Sequence, residues 1–189
     1  YENITATVRA GHTIDSIINL QFIGRHTDST TRFDVIDSHC DSMTFVCTGT
    51  GLPADADLET DNSQTFMRFG GDLSLYDGHW KNAAWLVVSN TDHDRHAKGV
   101  KTGSDEGERY GVHYQSTWDF VLEEGAKSAQ TIAFAIDHER VEYTRDVLNE
   151  KMYTTGYVLE GRARFWQQLY LSAAVRHDSN SDFDDVNTW

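Results

Sequence analysis

Apolar and polar side chains alternate with a period of two in about eight separate runs of this sequence, and only an extended strand sorts such residues onto two faces. Ile4, Ala6, Val8 and Ala10 alternate with Thr5, Thr7 and Arg9, and Ile18, Leu20 and Phe22 with Asn19 and Gln21. Met67, Phe69, Gly71 and Leu73 alternate with Arg68, Gly70 and Asp72. The same period runs through residues 110–120, 131–137, 153–160 and 169–176. Residues 80–88 are apolar on both phases over part of their length, so their orientation stays open. A ninth strand is expected to begin at residues 187–189. No amphipathic helix accompanies these runs. The sequence therefore predicts an all-β fold, an antiparallel up-and-down meander of about eight to nine strands.

The connections alternate as well. Short ones fall at residues 11–15, 76–79, 122–127 and 164–167, and long polar intervals at 27–62, 91–108, 144–150 and 178–186. A meander then gathers all tight turns at one end and all long intervals, expected as loops, at the other. Outer-membrane β-barrels have that asymmetry. The polar phase mixes Asn, Gln, Thr, Arg, His and Asp, which suits a hydrated interior, and Tyr110, Trp118, Tyr153 and Trp85 are expected near strand ends on the apolar face. Residues 1–189 read as a single segment of a partial or closed β-barrel of outer-membrane type. One alternative is a small structural or adhesive barrel. The other is a soluble β-sandwich binding module whose aromatics form its core.

Composition narrows the function classes. The net charge is −14, from 30 acidic and 16 basic side chains, so no nucleic-acid partner is expected: no basic run meets the phosphates. The first five residues, Tyr1-Glu2-Asn3-Ile4-Thr5, carry no signal-peptide pattern. A single proline, Pro53, fits long uninterrupted elements, and aromatics at 12% argue against disorder. Nucleophile elbows, phosphate loops and His-Glu-x-x-His are missing, so no enzyme is expected. His93 and His96 lack the two further ligands zinc requires and read as part of a solvated loop.

Three strings carry a resemblance to a known family: Asp55-Ala56-Asp57-Leu58-Glu59-Thr60-Asp61-Asn62, the run from Thr131-Ile132-Ala133-Phe134 to Asp137-His138-Glu139, and Leu171-Ser172-Ala173-Ala174-Val175-Arg176 with the residues up to Asn187-Thr188-Trp189. They resemble the barrel of TonB-dependent outer-membrane receptors, nearest to the cobalamin receptor-like branch. The resemblance implies a 22-stranded barrel with a plugged lumen. It implies location in a bacterial outer membrane, contact with outer-membrane lipid, and energised uptake of a small-molecule nutrient of the siderophore or cobalamin class. Neither the plug nor the segment that meets TonB is recognised here. The chain is thus expected to be a middle piece of the wall, inactive in transport alone and reaching the TonB system only through a plug it lacks. Such a piece is expected either to close on itself or to pair edge to edge as a homo-oligomer.

The resemblance also implies calcium as a possible ligand of Asp55, Asp57 and Asp61, since cobalamin receptors order an acidic loop that way. Asp-x-Asp-x-x-x-Asp supplies oxygens that calcium accepts, but the spacing is not that of an EF-hand, and a solvated acidic loop fits equally. Asp178, Asp182, Asp184 and Asp185 invite the same two readings. Cys40 and Cys47 have six residues between them in a Gly-, Asp- and Thr-rich stretch. They are expected to close a small disulfide loop in an oxidising compartment, the alternative being two free thiols. Mass spectrometry of unreduced peptides should show a Cys40–Cys47 peptide two hydrogens lighter than the dithiol; free alkylation of both thiols in oxidised protein would exclude the bond.

Overall fold

The computed structural model describes residues 1–36, 39–40, 47–49, 51–121, 128–145, 147–166 and 168–189, with side chains at 35–36, 39–40, 47–48, 53–55 and 121 outside that description. Strands form wherever the period of two predicts them. In chain order they are β1 (Glu2–Ile14), β2 (Ile18–Ile36), β3 (His39–Cys40), β4 (Cys47–Thr48), β5 (Pro53–Leu75), β6 (Trp80–Ala97), β7 (Val100–Val121), β8 (Ala129–Arg145), β9 (Leu148–Phe165), β10 (Leu169–Asn180) and β11 (Val186–Thr188). Nine of them form one antiparallel sheet in the order β1-β2-β5-β6-β7-β8-β9-β10-β11, and β3 and β4 form a separate small hairpin. That small hairpin sets Cys40 opposite Cys47 in its backbone register; the two thiols lie outside the described residues.

The sheet is open. Among the described residues, β1 and β11 are edges that do not pair with each other, so of the expected partial and closed forms this is the partial one. Among the described residues, strands touch only their neighbours, and no second layer covers either face. Accordingly the described residues contain no buried apolar side chain.

Alternation and register divide the sheet into two faces. One carries an apolar band. Across its middle run the partners Gly24↔Met67↔Val88↔Tyr110, Phe22↔Phe69↔Leu86↔Val112 and Ile136↔Tyr157. Leu86 is 52% exposed and Phe69 51%. The band ends in aromatics both ways. Toward the short turns, Trp80 and Trp118 stack at 4.6 Å, with Tyr76 6.3 Å from Trp80 and Phe120 6.3 Å from Trp118. At the opposite margin, the Arg140 guanidinium lies 5.9 Å from the rings of both Tyr110 and Tyr153. From Tyr110 to Phe120 the strand rises about 33 Å, or about 25 Å in height at an ordinary barrel tilt. Polar atoms inside the band are largely paired with one another: the Trp80 indole N–H donates to Ser116 Oγ at 2.9 Å, and the Tyr114 hydroxyl to Asn82 Oδ1 at 2.8 Å.

Three of the long polar intervals are largely strand and not loop, whereas the last, 178–186, keeps a loop at residues 181–185. β6 and β7 stay paired to Ala97↔Val100, closing on a two-residue turn in which Lys98 and Gly99 are both left-handed (φ 52° and 73°). β8 and β9 pair as far as Arg145↔Leu148. Both faces of these arms are polar, so the alternation that reveals a strand fades while the backbone ladder continues. The first short turn is likewise displaced, since β1 runs on to Ile14 and the chain turns at residues 15–17.

Beyond the Tyr110–Arg140–Tyr153 row, cross-strand ion pairs hold the arms. Lys151 Nζ lies 2.7 Å from Glu142, with Arg140 on its other oxygen. These two cations, Lys151 foremost, draw the Glu142 carboxyl down from 4.5 to about 2. Because the folded value lies below the unfolded one, the support this group gives is complete above pH 4.5 and lost as pH falls toward 2. Amide exchange in the β8–β9 arm should therefore accelerate between pH 4.5 and 2, beyond the intrinsic pH effect, and Glu142→Gln should flatten that dependence.

Candidate functional site on the polar face

The opposite face carries a lateral chain of charged and polar groups. One register row runs Gly70↔Trp85↔His113↔Asp137↔Gly156↔Asp178, from β5 to β10. Trp85 belongs to this face, which corrects the expectation that it joins the apolar girdle. A stretch apolar on both phases gives no orientation; the register does. The close approach of strands at Gly70 explains the neighbourhood: a Cβ there would lie 2.1 Å from the Ala84 carbonyl oxygen and 2.8 Å from the Trp85 ring. The indole fills the space beside the glycine, and the Arg68 guanidinium covers it at 3.7 Å.

At the centre of the row, His113 Nδ1 contacts Asp137 Oδ1 directly. The other Asp137 oxygen faces Arg176 Nη1 at 3.5 Å, and Arg176 donates from Nη2 and Nε to Asp178 at 2.7 Å each. Arg176 reaches sideways across β9 because Gly156 leaves room. A Cβ at Gly156 would sit 2.5 Å from Arg176 Nη2 and 2.7 Å from Asp178 Oδ1. One row further along, Arg109 Nη2 donates to Glu139 Oε2 at 2.6 Å. Nearer the short turns, Lys81 Nζ lies 3.3 Å from Asp119, which also accepts from the Thr131 hydroxyl at 2.7 Å. The result is a wall of alternating charge, satisfied laterally and open above. Such a surface can bind water and polar solutes in exchange for its own partners.

The residues singled out in the sequence are distributed differently. Asp55, Asp57 and Asp61 all stand in the backbone of β5 and not in a loop; the Asp55 side chain is outside the described residues. Asp57 is held at a local irregularity, with φ 45° and its carbonyl accepting the Lys98 amide at 2.9 Å. Asp61 accepts the Thr30 hydroxyl at 2.6 Å and lies 3.5 Å from His96 Nδ1. The donors that do converge around it are Glu59 and His96, the one such group of three among the described residues. His93 and His96, three apart on a strand, fall on opposite faces. Asp178 is taken by Arg176, Asp182 accepts the Ser181 hydroxyl at 2.9 Å, and Asp185 lies 3.9 Å from His177.

Gly156→Ala should push the Arg176 guanidinium off Asp137 without unfolding the sheet, since the clash is with flexible side-chain ends. A loss of about 0.5–1 kcal/mol is expected, of the size an exposed ion pair contributes. Urea titration of the folded chain checks this: the loss should shrink when Arg176 is already alanine. Compared with protein-family models and with curated proteins, the sequence matches none.

Proposed function

We propose that this sheet is a stretch of the wall of an outer-membrane β-barrel. Its apolar band faces lipid, its charged face lines a water-filled interior, and its paired arms project from the surface. The observation that supports the reading is the band itself: about 25 Å tall, rimmed by aromatics at both margins and, among the described residues, covered by no other layer. A soluble sandwich needs a second sheet over such a face, and the only other sheet among the described residues is the short β3–β4 hairpin. The barrel we infer serves nutrient uptake of the TonB-dependent class, on the strength of the strings at residues 55–62, 131–139 and 171–189. In that receptor this segment supplies wall and rim, and transport needs the rest of the protein.

Nitroxide labels placed one at a time along β6 and β7, in a Cys40→Ser/Cys47→Ser background reconstituted in bilayers, test the wall. Labels at 86 and 112 should relax with dissolved oxygen, and those at 87 and 113 with a water-soluble nickel complex. A chain that stays monomeric and folded in detergent-free buffer removes the membrane reading. For the receptor step, cells making the whole protein should lose energised uptake of a labelled siderophore or cobalamin when β5–β8 is deleted, while a generic porin solute still enters.

A further inference from the structure

A second centre stands on the arms, on the same face as the apolar band but beyond it, and does not depend on what the barrel carries. Glu59 on β5 is the register partner of His96 on β6, and Asp61 follows Glu59 on the same face. One ligand atom from each, two carboxylate oxygens and an imidazole nitrogen, lies within 4.8 Å of the others. In a tetrahedral site with bonds near 2.1 Å, ligand atoms are about 3.4 Å apart. The remaining gap is of the size that side-chain rotation spans.

His96 supplies an independent observation. Its Nδ1 is sealed from solvent and makes no hydrogen bond, although Asp61 Oδ2 lies 3.5 Å away, off the line of one. A buried, unpartnered ring nitrogen costs free energy unless something uses it. The surroundings hold it there: the β6–β7 register slips between Arg95 and His96, and Thr102, the extra residue on β7, donates its hydroxyl to the Arg95 carbonyl at 3.1 Å. The cation already present on Glu59 is Arg32, whose side chain is 71% exposed and free to swing aside.

We propose that Glu59, Asp61 and His96 bind a divalent transition metal of the zinc class, with a fourth position left to water. Imidazole nitrogen decides the class, because calcium and magnesium take oxygen ligands whereas zinc and its neighbours take nitrogen with carboxylate. The ligand set is thus different from the all-aspartate calcium set of Asp55, Asp57 and Asp61. Bound there, the ion ties β5 to β6 where both strands depart from regular register.

The test uses the full chain folded in micelles and titrated with Zn²⁺ against a chromophoric chelator, and separately with Co²⁺. One ion per chain is expected, with visible ligand-field bands for Co²⁺ and no displacement by a roughly hundredfold excess of Ca²⁺. His96→Gln and Glu59→Gln should each weaken Zn²⁺ binding at least about tenfold, with the β-sheet circular dichroism unchanged. His93→Gln, on the other face of β6, should leave binding as it was, and Arg32→Gln should tighten it by removing the competing cation. Zn²⁺ should also shift the His96 imidazole resonances of the unsubstituted chain, a readout that needs no variant to fold. Absence of those shifts, equal affinity in His96→Gln, or displacement by Ca²⁺ would overturn the site.

Discussion

The backbone ladder is what everything else in this molecule depends on. With no layer over either face, and no buried apolar side chain among the described residues, inter-strand N–H···O=C bonds carry the order that a core carries in a globular domain. That explains the tolerance for long, doubly polar arms: a strand here needs a neighbour in register and not an apolar face. It also explains why local irregularities matter. At Phe33/Val35 and Arg95/His96 the ladder slips, and the residues around those slips are the ones brought into unusual company.

Seen this way, the two faces divide the remaining work. The apolar face ends in aromatics at both margins, and in the barrel wall proposed above those side chains would set its depth by favouring an interface. The polar face gains specificity through lateral pairs whose members come from two or three different strands. Asp137 is the hub: it meets His113 from β7 and Arg176 from β10, across a glycine on β9. Removing the hub would take a partner from both His113 and Arg176, whereas removing either of those two leaves Asp137 with the other.

Much of the fold was legible in the sequence because a period of two is a property of one strand and needs no knowledge of its neighbours. The meander and the nine strands of the main sheet followed from it; the expected gathering of tight turns at one end did not, since the β6–β7 arm closes at the other end on the two-residue turn Lys98–Gly99. Trp85 and the arms were illegible for opposite reasons: residues 80–88 are apolar on both phases and the arms are polar on both, so neither shows a phase. The candidate sites were harder still. Asp61 stood out as one of several aspartates, but Glu59 and His96 are 37 positions apart, and they become partners only once the turn at Lys98–Gly99 fixes the register. His113, Asp137 and Arg176 likewise sit in ordinary alternating runs, and only sheet order makes them a chain.

The paired arms have a consequence for how this chain resists proteolysis. From the Val88↔Tyr110 row to Ala97↔Val100 the β6–β7 arm stays paired over about 30 Å with one slip, at Arg95/His96, and proteases need a segment free to enter their cleft. Arg95 and Lys101 are locked in strands, so of the basic residues along this arm only Lys98 stands in the turn. A projection built as a ribbon thus exposes almost no scissile backbone, where an unstructured loop of the same length would expose all of it. The same stiffness means that whatever docks against the arm restrains little that was moving, so contact there costs little chain entropy.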